Sequence, residues 1–428
     1  MKHFLILFSV ALIISSPLLN SGFYTSPDGP NHLVRIAYFY RELQVGHLFP
    51  GWIGELNWGK GYPIFFFTYP LPYYIASVWH AIGLPIVDSF KITLYLFTAF
   101  GALGIYHWTK KISSGILYLF SPYLFVDIFV RAAFGEVVFL GILPWAFWSL
   151  STQSPILSGF IISLLLLSHL QFSLIFLPLL FLYGLIRHVN IRQILLRFVL
   201  GFSLSAFFWL PALSLTSLTR YSQTHQFVPS QHLPTLHQLL YSPWGFGFSA
   251  PGPEDGLSFQ VGIANWLILI LASILAYRNR QAVFLSLVCW GALVLMVWSP
   301  LNIWDSPITQ SIQFPWRLLA IPLVFTPVLL SYLPTRFPKI LTVLVLILAI
   351  YSNRNHIRIN LPQFVGSSDS NFLIATTTTT STPDEFMPLQ PRLIFESHPT
   401  IILSRIISLT SLIWLLKYKH DSLNRHYC

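Results

Sequence analysis

The chain has 428 residues, of which 54% are hydrophobic and only 9% are charged, and its mean hydropathy is +0.66. Ordinary soluble domains carry about a quarter of their residues as charged side chains, so this composition excludes a soluble protein and predicts a polytopic, all-α integral membrane protein. The net charge of +10 indicates no nucleic-acid partner, because Lys and Arg are spread over short loops between apolar runs, as the positive-inside rule requires.

The first apolar segment is MKHFLILFSVALIISSPLLNSGF, in which a basic start precedes an apolar run. This pattern fits an uncleaved first span and also the apolar region of a signal peptide. We favour the uncleaved span because no small-x-small cleavage site stands out. A cleaved signal would still leave a chain with many spans.

A polar stretch from Ser26 to Tyr74 then interrupts the apolar chain. It carries Asp28, His32, Arg35, Arg41, Glu42, Glu55 and Lys60, whereas the neighbouring segments carry almost no charge. Between Asn31 and Gly46 the apolar residues recur on one helical face, which predicts an amphipathic helix lying along the membrane surface. A simpler interpretation is purely structural, with Asn31 capping that helix and Asp28 closing the turn.

The remaining apolar runs predict about 12 spans, each of which needs about 20 residues if untilted. The predicted spans are residues 4–20, 88–108, 113–127, 137–151, 155–168, 170–186, 198–213, 261–277, 282–298, 317–333, 338–351 and 401–416. Residues 62–84 are equally apolar but contain Pro63, Pro70 and Pro72. This segment therefore requires a separate argument.

Charge decides the path of residues 62–84. If both termini and four internal basic clusters are cytoplasmic, only one net crossing fits between residues 62 and 108. The proline-rich segment is then re-entrant or interfacial, belongs to a first extracytoplasmic loop of about residues 21–87, and is expected to line a cavity. If it crosses fully instead, the basic clusters change sides.

The segment VRAAFGEVVF places Arg131 and Glu136 at an outer membrane boundary, with Asp127 four residues before Arg131. One interpretation is an i,i+4 ion pair between Asp127 and Arg131, with Glu136 solvated. The other is a substrate site, because Arg suits bidentate phosphate recognition and ionisable groups at a membrane edge are functional candidates. His169, in SHLQ, is either a buried hydrogen-bonded residue or part of a polar cavity.

Further outer segments carry aromatic and polar residues. Gln313 and Arg317, in QFPWR, form either an interfacial anchor or a phosphate contact. Aromatic residues in the segment 242–262 stack on a sugar or sit in the interfacial aromatic belt, and the belt is favoured. The histidines at 225, 232 and 237 lack the ligand partners and helical spacing of a zinc site, so no metal site is predicted.

The order of motifs is specific. DGPNHLVRI, GHLFPGW, GYPIFFFTYPLPYY, VRAAFGE, SHLQ, SAFFWLPAL, SPWGFG, DGLSFQVG, QFPWR and DEFMP follow one another to about residue 390. Together they resemble a family of bacterial membrane proteins often labelled "6-pyruvoyl-tetrahydropterin synthase-related", which look like members of the GT-C glycosyltransferase superfamily. The histidine cluster of a pterin enzyme is missing, so that part of the label implies nothing here.

The resemblance implies a GT-C-like helical bundle over residues 1–351, an extracytoplasmic loop over 352–400, and a last span with a cytoplasmic tail over 401–428. The protein would lie in the inner or plasma membrane of a bacterial cell envelope, with cytoplasmic termini and an extracytoplasmic active face. Its partners would be the bilayer, a polyprenyl-phosphate sugar donor, and a glycan, lipid or protein acceptor. The resemblance names no certain cofactor and leaves a divalent metal open, for which the sequence offers no support.

Asp28 matches the acidic residue of the GT-C first loop, which implies a general base or an acceptor-binding group. The substrate-binding candidates are His32, Arg35, Lys60, Arg131, Glu136, His169, Gln313 and Arg317. Many GT-C enzymes carry paired acids in this loop, whereas Asp28 is followed by Gly29 and the next acid is Glu42. The alternative is therefore a non-catalytic transporter or scaffold for lipid-linked glycans with the same fold.

Overall fold

The structure is a computed structural model that describes residues 2–152, 154–221, 228–252, 254–334, 339–363, 372, 386–389 and 392–424. Its α-helices are α1 Lys2–Ile14, α2 Gly29–Gln44, α3 Ile64–Phe67, α4 Leu71–Ala81, α5 Ile86–Thr109, α6 Ile112–Leu119, α7 Pro122–Phe125, α8 Phe134–Ser149, α9 Pro155–Ser168, α10 Leu170–Ile186, α11 Ile191–Leu204, α12 Ala206–Ser214, α13 Leu236–Leu240, α14 Ile263–Leu275, α15 Arg280–Val297, α16 Pro307–Gln310, α17 Ala320–Tyr332, α18 Lys339–Asn353, α19 Arg392–Glu396 and α20 Pro399–Asn424. A π-helical turn, Val126–Arg131, joins α7 to α8. Two short strands, β1 Phe23–Tyr24 and β2 Pro362–Gln363, pair antiparallel.

Within the described residues, four helical segments are long and apolar enough to cross a membrane, or six if two bent pairs each form one span. The four are Ile86–Thr109, Arg280–Val297, Pro315–Tyr332 and Ile394–Lys417. Apolar helices of the membrane protein do form at the predicted positions, but the count of about 12 spans is not confirmed, because several helices are shorter than the roughly 20 residues of an untilted span. The predicted span 198–213 is bent by 73° where α11 gives way to α12.

The proline-rich segment 62–84 folds as two separate helices. Pro63 and Pro70 occupy the cap positions before α3 and α4, and a further proline lies in the first turn of α4, where its missing N–H has no helical partner to lose. The 11 residues of α4 span about 16 Å, about half of a hydrocarbon core. The segment is therefore not one continuous helix of spanning length, and its re-entrant or interfacial path stays a prediction.

Helix α8 is buried over nearly its whole length. Its side chains are buried on all faces, apart from the partly exposed residues 145 and 148, and it packs against α4, α5, α9, α10 and α17. A helix that is apolar all round requires such surroundings. Glu136, in the first turn of α8, is thus held by a helix that other helices surround.

Three segments that were predicted to lie on the outer face contact one another. The amide N–H of Arg220 donates to the carbonyl of Met387 (2.9 Å), and that of Phe386 donates to the Tyr62 hydroxyl (2.8 Å). Residues 386–389 therefore connect the first loop to the segment that follows α12. His225, the threonine tract 376–380 and the acidic pair Asp384 and Glu385 lie outside the described residues, and the domain boundaries at 351 and 400 stay predictions.

Candidate functional site

Asp28 occupies the cap position of α2, which begins at Gly29. Its side chain makes no capping hydrogen bond within the described chain, and its Oδ2 lies 3.5 Å from Nη2 of Arg131. Asn31 lies inside the first turn of α2, so the alternative in which Asn31 caps this helix is wrong. The carboxylate of Asp28 is directed at an arginine instead of at its own helix.

Gly29 makes this position possible. A Cβ atom on Gly29 would lie 2.4 Å from both the Phe23 ring and the hydroxyl of Ser26, closer than packed carbon atoms approach. The absent side chain lets the start of α2 lie directly on the buried β1 residue Phe23. The turn therefore needs glycine for space, which fixes where Asp28 enters the helix.

Arg131 ends the π-helical turn. Ala132 follows with φ of 57°, a left-handed conformation that reverses the chain before α8, and π-turns of this kind occur often at functional sites. Nη1 of Arg131 donates to Oδ1 of Asp127 (2.9 Å) and to Oε2 of Glu136 (2.8 Å), and Nη2 donates to Oε1 of Glu136 (2.9 Å). The expected i,i+4 pair with Asp127 is present, together with a bidentate pair to Glu136.

Glu136 bridges two arginines. Besides Arg131, its Oε1 accepts a hydrogen bond from Nε of Arg317 (3.1 Å), and its Oε2 accepts one from the Tyr123 hydroxyl (3.0 Å). Its side chain is 2% exposed, so the alternative with Glu136 solvated is wrong. A carboxylate in the first turn of a helix is favoured by the helix dipole, and two guanidinium groups compensate its burial.

Arg317 holds the segment before α17. Its Nη1 donates to the carbonyl of Ile312 (2.7 Å) and to Oε1 of Gln313 (2.8 Å). Gln313 has a φ of 68°, an unusual conformation that these contacts stabilise. Nη2 of Arg317 makes no hydrogen bond to a residue that the structure describes, and Arg317 lines the cavity defined below. One face of this guanidinium is thus available to a ligand.

Two histidines lie behind the arginines. Nδ1 of His169 accepts from the backbone N–H of Phe172 (3.2 Å), so the proton is on Nε2, which lies 3.8 Å from Oε1 of Glu136. His32 is hydrogen-bonded to the Tyr73 hydroxyl (2.8 Å), and burial, reinforced by nearby Arg35, holds the pKa of His32 well below its ordinary value. Both are buried and neither lines the cavity.

Of the last two candidates, Arg35 lies at the cavity and Lys60 does not. Arg35 donates to the Tyr73 hydroxyl (3.4 Å) and lines the cavity beside Asp28. Lys60 is exposed, and its backbone N–H closes a turn with Asn57. Lys60 is not among the cavity-lining residues. The structure thus brings Asp28, Arg35, Arg131, Gln313 and Arg317 to one cavity, with Glu136, His32 and His169 behind them.

The cavity has a volume of about 1490 Å³ and two chemically different ends. The residues named above line its polar end, together with Asn31, Tyr69, Gln171, Ser249 and Trp316. The other end, here called the apolar arm, follows one face of α10. Residues of α11 and α12 also line it. Its lining residues are Leu170, Leu174, Leu177, Pro178, Phe181, Leu182, Phe198, Phe202, Trp209, Ala212 and Leu213.

The electrostatic environment of Asp28 suits proton transfer. Burial raises the pKa of the Asp28 carboxyl above its ordinary value, the charge of Arg131 opposes that increase, and the charge of Glu136 adds to it. The Asp28 side chain is 27% exposed, so it faces the cavity and can meet a ligand. A carboxylate with a raised pKa is a stronger base than a solvated one.

Several cavity residues escaped sequence reasoning. The apolar arm gives no signal, because α10 is apolar on every face and nothing marks the side that lines a cavity. Phe248 and Ser249 belong to the aromatic segment 242–262, which was assigned to the interfacial belt, yet both line the cavity. Among the described residues, no group of three His, Cys, Asp or Glu side chains could hold a metal ion.

No known protein family matches the chain, and no curated protein matches it. Its fold is similar to the structure of the arabinofuranosyltransferase AftD from Mycobacteria, with a TM-score of 0.53 and 16% identity. The match covers 83% of this chain and 26% of AftD. A mutant of AftD gives a TM-score of 0.50 and 14% identity, over 84% of this chain and 28% of that one.

The apo oligosaccharyltransferase of Archaeoglobus fulgidus gives a TM-score of 0.49 and 12% identity, over 90% of this chain and 61% of that one. The present chain spans about a quarter of the length of AftD. The likeness to AftD shows a shared fold, and membership of the GT-C superfamily stays a prediction. The narrower bacterial family named from the motifs stays a prediction.

Proposed function

We propose that this protein is an integral membrane glycosyltransferase that transfers a sugar from a polyprenyl-phosphate donor to a cell-envelope acceptor on the extracytoplasmic face. The observation that carries the proposal is the two-ended cavity. Its polar end holds Asp28, Arg131 and Arg317, and its apolar arm continues from there along α10. An amphipathic donor with an anionic head and an isoprenoid tail matches both ends.

The arginines supply the charge that the donor phosphate needs. Nη2 of Arg317 is uncommitted within the described chain, and Arg131 and Arg35 line the same end. As the sugar leaves, negative charge grows on the phosphate oxygens, and guanidinium groups fixed beforehand stabilise that charge. Glu136 holds both Arg131 and Arg317 in place, so we assign it a positioning role.

Asp28 acts on the acceptor. Its carboxylate takes the proton of the acceptor hydroxyl as the acceptor oxygen forms a bond to the anomeric carbon of the sugar. The bond from that carbon to the phosphate oxygen breaks in the same step, and the polyprenyl phosphate leaves with the electron pair. An in-line displacement of this kind inverts the anomeric carbon. Product release then returns the proton from Asp28 to water.

The test uses the purified full-length chain in lipid nanodiscs with a panel of radiolabelled polyprenyl-phosphate sugars and lipid-linked or soluble acceptors. Thin-layer chromatography separates the intact donor, the released lipid phosphate and the glycosylated acceptor. We expect transfer by the wild type and a loss of about 100-fold or more for Asp28→Asn, in line with removal of a general base. Normal transfer by this variant would refute the catalytic assignment.

The same assay separates the enzyme from the transporter or scaffold. A transporter moves the donor across the bilayer and leaves the sugar–phosphate bond intact. Release of lipid phosphate that depends on Asp28 therefore supports the transferase. Movement of labelled donor between leaflets, with no bond cleavage by any member of the panel, would support the transporter.

A further inference from the structure

Residues of the aromatic segment 242–262 form a second wall of the cavity, far in sequence from Asp28. Phe248 and Ser249 both line the cavity. Phe248 is 70% exposed, although a large apolar ring is usually buried. The backbone next to Phe248 is held by hydrogen bonds to Gly256: the N–H of Gly247 donates to the Gly256 carbonyl (2.9 Å), and the N–H of Gly256 donates to the Phe248 carbonyl (3.2 Å).

Asp255 fixes the position of Ser249. Its Oδ1 accepts hydrogen bonds from the Ser249 hydroxyl (3.1 Å) and from the backbone N–H of Ala250 (3.1 Å). Its Oδ2 accepts one from the side-chain amide of Gln238 (3.0 Å). The Gln238 amide cannot turn over, because its Oε1 accepts from the N-terminal turn of α13. This network orients the Ser249 hydroxyl.

The direction of each proton follows from the chemistry of the groups. An ionised Asp255 only accepts, so the hydroxyl proton of Ser249 points to Asp255. Nδ1 of His232 lies 2.9 Å from the same hydroxyl oxygen and must therefore donate to it. Burial lowers the pKa of His232, so the ring is neutral with its proton on Nδ1. Ser249 thus presents a hydrogen-bond acceptor to the cavity.

A hydrogen-bond donor lines the same cavity. Oε1 of Gln313 accepts from Arg317, which only donates, so the amide nitrogen of Gln313 is the atom left for a ligand. This amide suits a hydroxyl oxygen. Trp316 also lines the cavity, but its indole N–H is buried and is not presented to a ligand.

Ring contacts connect this wall to the arginine cluster. The His232 ring packs edge-on against Phe314 at 5.3 Å, Phe314 lies 4.8 Å from Trp316, and the guanidinium of Arg131 lies 4.8 Å from the Trp316 ring centre. The acceptor oxygen of Ser249 and the donor of Gln313 thus belong to one continuous wall that ends at Arg131.

We propose that Phe248, Ser249 and Gln313 form a carbohydrate-binding subsite, in which Ser249 accepts from a sugar hydroxyl, Gln313 donates to a sugar oxygen, and Phe248 packs on the ring. Sugars combine alternating donors and acceptors with apolar ring faces, and this wall offers partners for each. These residues would recognise the sugar in the reaction proposed above, so the subsite rests on the proposed function. Asp255 and His232 are positioning residues.

The experiment measures binding, so it does not depend on turnover. Methyl pentofuranosides and methyl hexopyranosides are titrated against the wild-type full-length chain in nanodiscs, with saturation-transfer NMR as the readout. We expect at least one glycoside to bind, and Ser249→Ala to weaken it by about 3- to 10-fold, the value of a hydrogen bond. Phe248→Ala should weaken it by a similar factor, about 3- to 10-fold, through the lost ring contact.

The matched control is Ser258→Ala. Ser258 lies on the same segment, and its hydroxyl donates to the carbonyl of Ser242 (3.2 Å), but it does not line the cavity. This variant should bind the glycoside as the wild type does. If no glycoside binds the wild type, or if Ser249→Ala and Phe248→Ala bind as tightly as Ser258→Ala, the subsite is refuted.

Competition identifies which sugar occupies the wall. If it holds the transferred sugar, the polyprenyl-phosphate sugar displaces the methyl glycoside, whereas polyprenyl phosphate alone does not. If it holds the acceptor glycan, glycoside and donor bind together. Either result supports the subsite. Ser249-dependent binding without any transfer would refute the proposed function alone, and transfer without Ser249-dependent binding would refute the subsite alone.

Discussion

Asp28 and Arg131 are joined twice, once through the backbone and once through their side chains. The N–H of Asp28 donates to the carbonyl of Arg131 (3.2 Å), and Oδ2 of Asp28 lies 3.5 Å from Nη2 of Arg131. The backbone bond fixes the distance between two loops that are far apart in sequence. The proposed base and a proposed phosphate ligand are therefore held in register before any substrate binds.

The raised pKa of Asp28 predicts the pH dependence of transfer. The base is active only when deprotonated, so activity falls as the pH drops through the pKa of Asp28. Because burial raises that pKa, the midpoint of the acid limb should lie above about 3.9, the ordinary value for Asp. Rates measured at saturating donor from pH 4 to 8 check this. A midpoint at or below the ordinary value would contradict the assignment.

Replacement of Glu136 by Gln should destabilise the protein and abolish transfer. Each carboxylate oxygen accepts two hydrogen bonds from donors, so the amide NH₂ group of Gln would face two of these donors. Breaking a buried ion pair costs about 3–5 kcal/mol. Thermal unfolding in nanodiscs measures the loss. Tyr123→Phe removes one of the four bonds and should cost about 1 kcal/mol, and an equal loss in both variants would contradict the bridge.

The apolar arm should determine which length of polyprenyl tail the protein accepts in its donor. Leu174 lines the arm on α10, and Leu174→Trp would fill space there. We expect transfer from a long-chain polyprenyl donor to fall by about tenfold, the effect of about 1.4 kcal/mol, and transfer from a short-chain donor to fall less. Leu185→Trp is the control, because Leu185 is exposed on the same helix and does not line the cavity. Equal loss for both donors would count against the arm.

Gly29→Ala should disturb the site although Gly29 is not itself a proposed catalytic or substrate-binding residue. The new Cβ would lie 2.4 Å from the Phe23 ring and from the Ser26 hydroxyl, so the start of α2 must shift and Asp28 with it. Transfer should fall while donor binding changes little. Gly54→Ala, in the same loop, meets no atom closer than 3.9 Å and should behave as the wild type does. Normal transfer by Gly29→Ala would show that the position of Asp28 is not critical.

Local patterns in the sequence were sufficient for much of the fold. The predicted bounds of α9 and α10 agree with the structure, because a proline or a histidine marks where each begins. The bend between α11 and α12 was missed, because no proline or charge marks Ser205. Arg131 and Glu136 are charged residues within an apolar sequence, and this pattern can be recognised without a structure.

The arrangement of the site could not be predicted in the same way. Nothing in VRAAFGE shows that Glu136 turns inward to bridge Arg131 and Arg317, since the second arginine comes from a distant segment. Lys60 was predicted beside the substrate because it is a cation in the first loop, yet a local turn leaves it exposed. Position in a loop does not determine the direction of a side chain. Only tertiary packing does.

The bridge at Glu136 also imposes an order on synthesis. Arg131 is made just before Glu136, but Arg317 follows 181 residues later, which at about 5–20 residues per second is a delay of about 10 to 35 s. During that interval the nascent bundle holds a carboxylate with one of its two arginines missing. The chain therefore completes its charge balance only when the segment before α17 has emerged, so a ribosome stalled before Arg317 would carry a less stable intermediate for the membrane quality-control proteases.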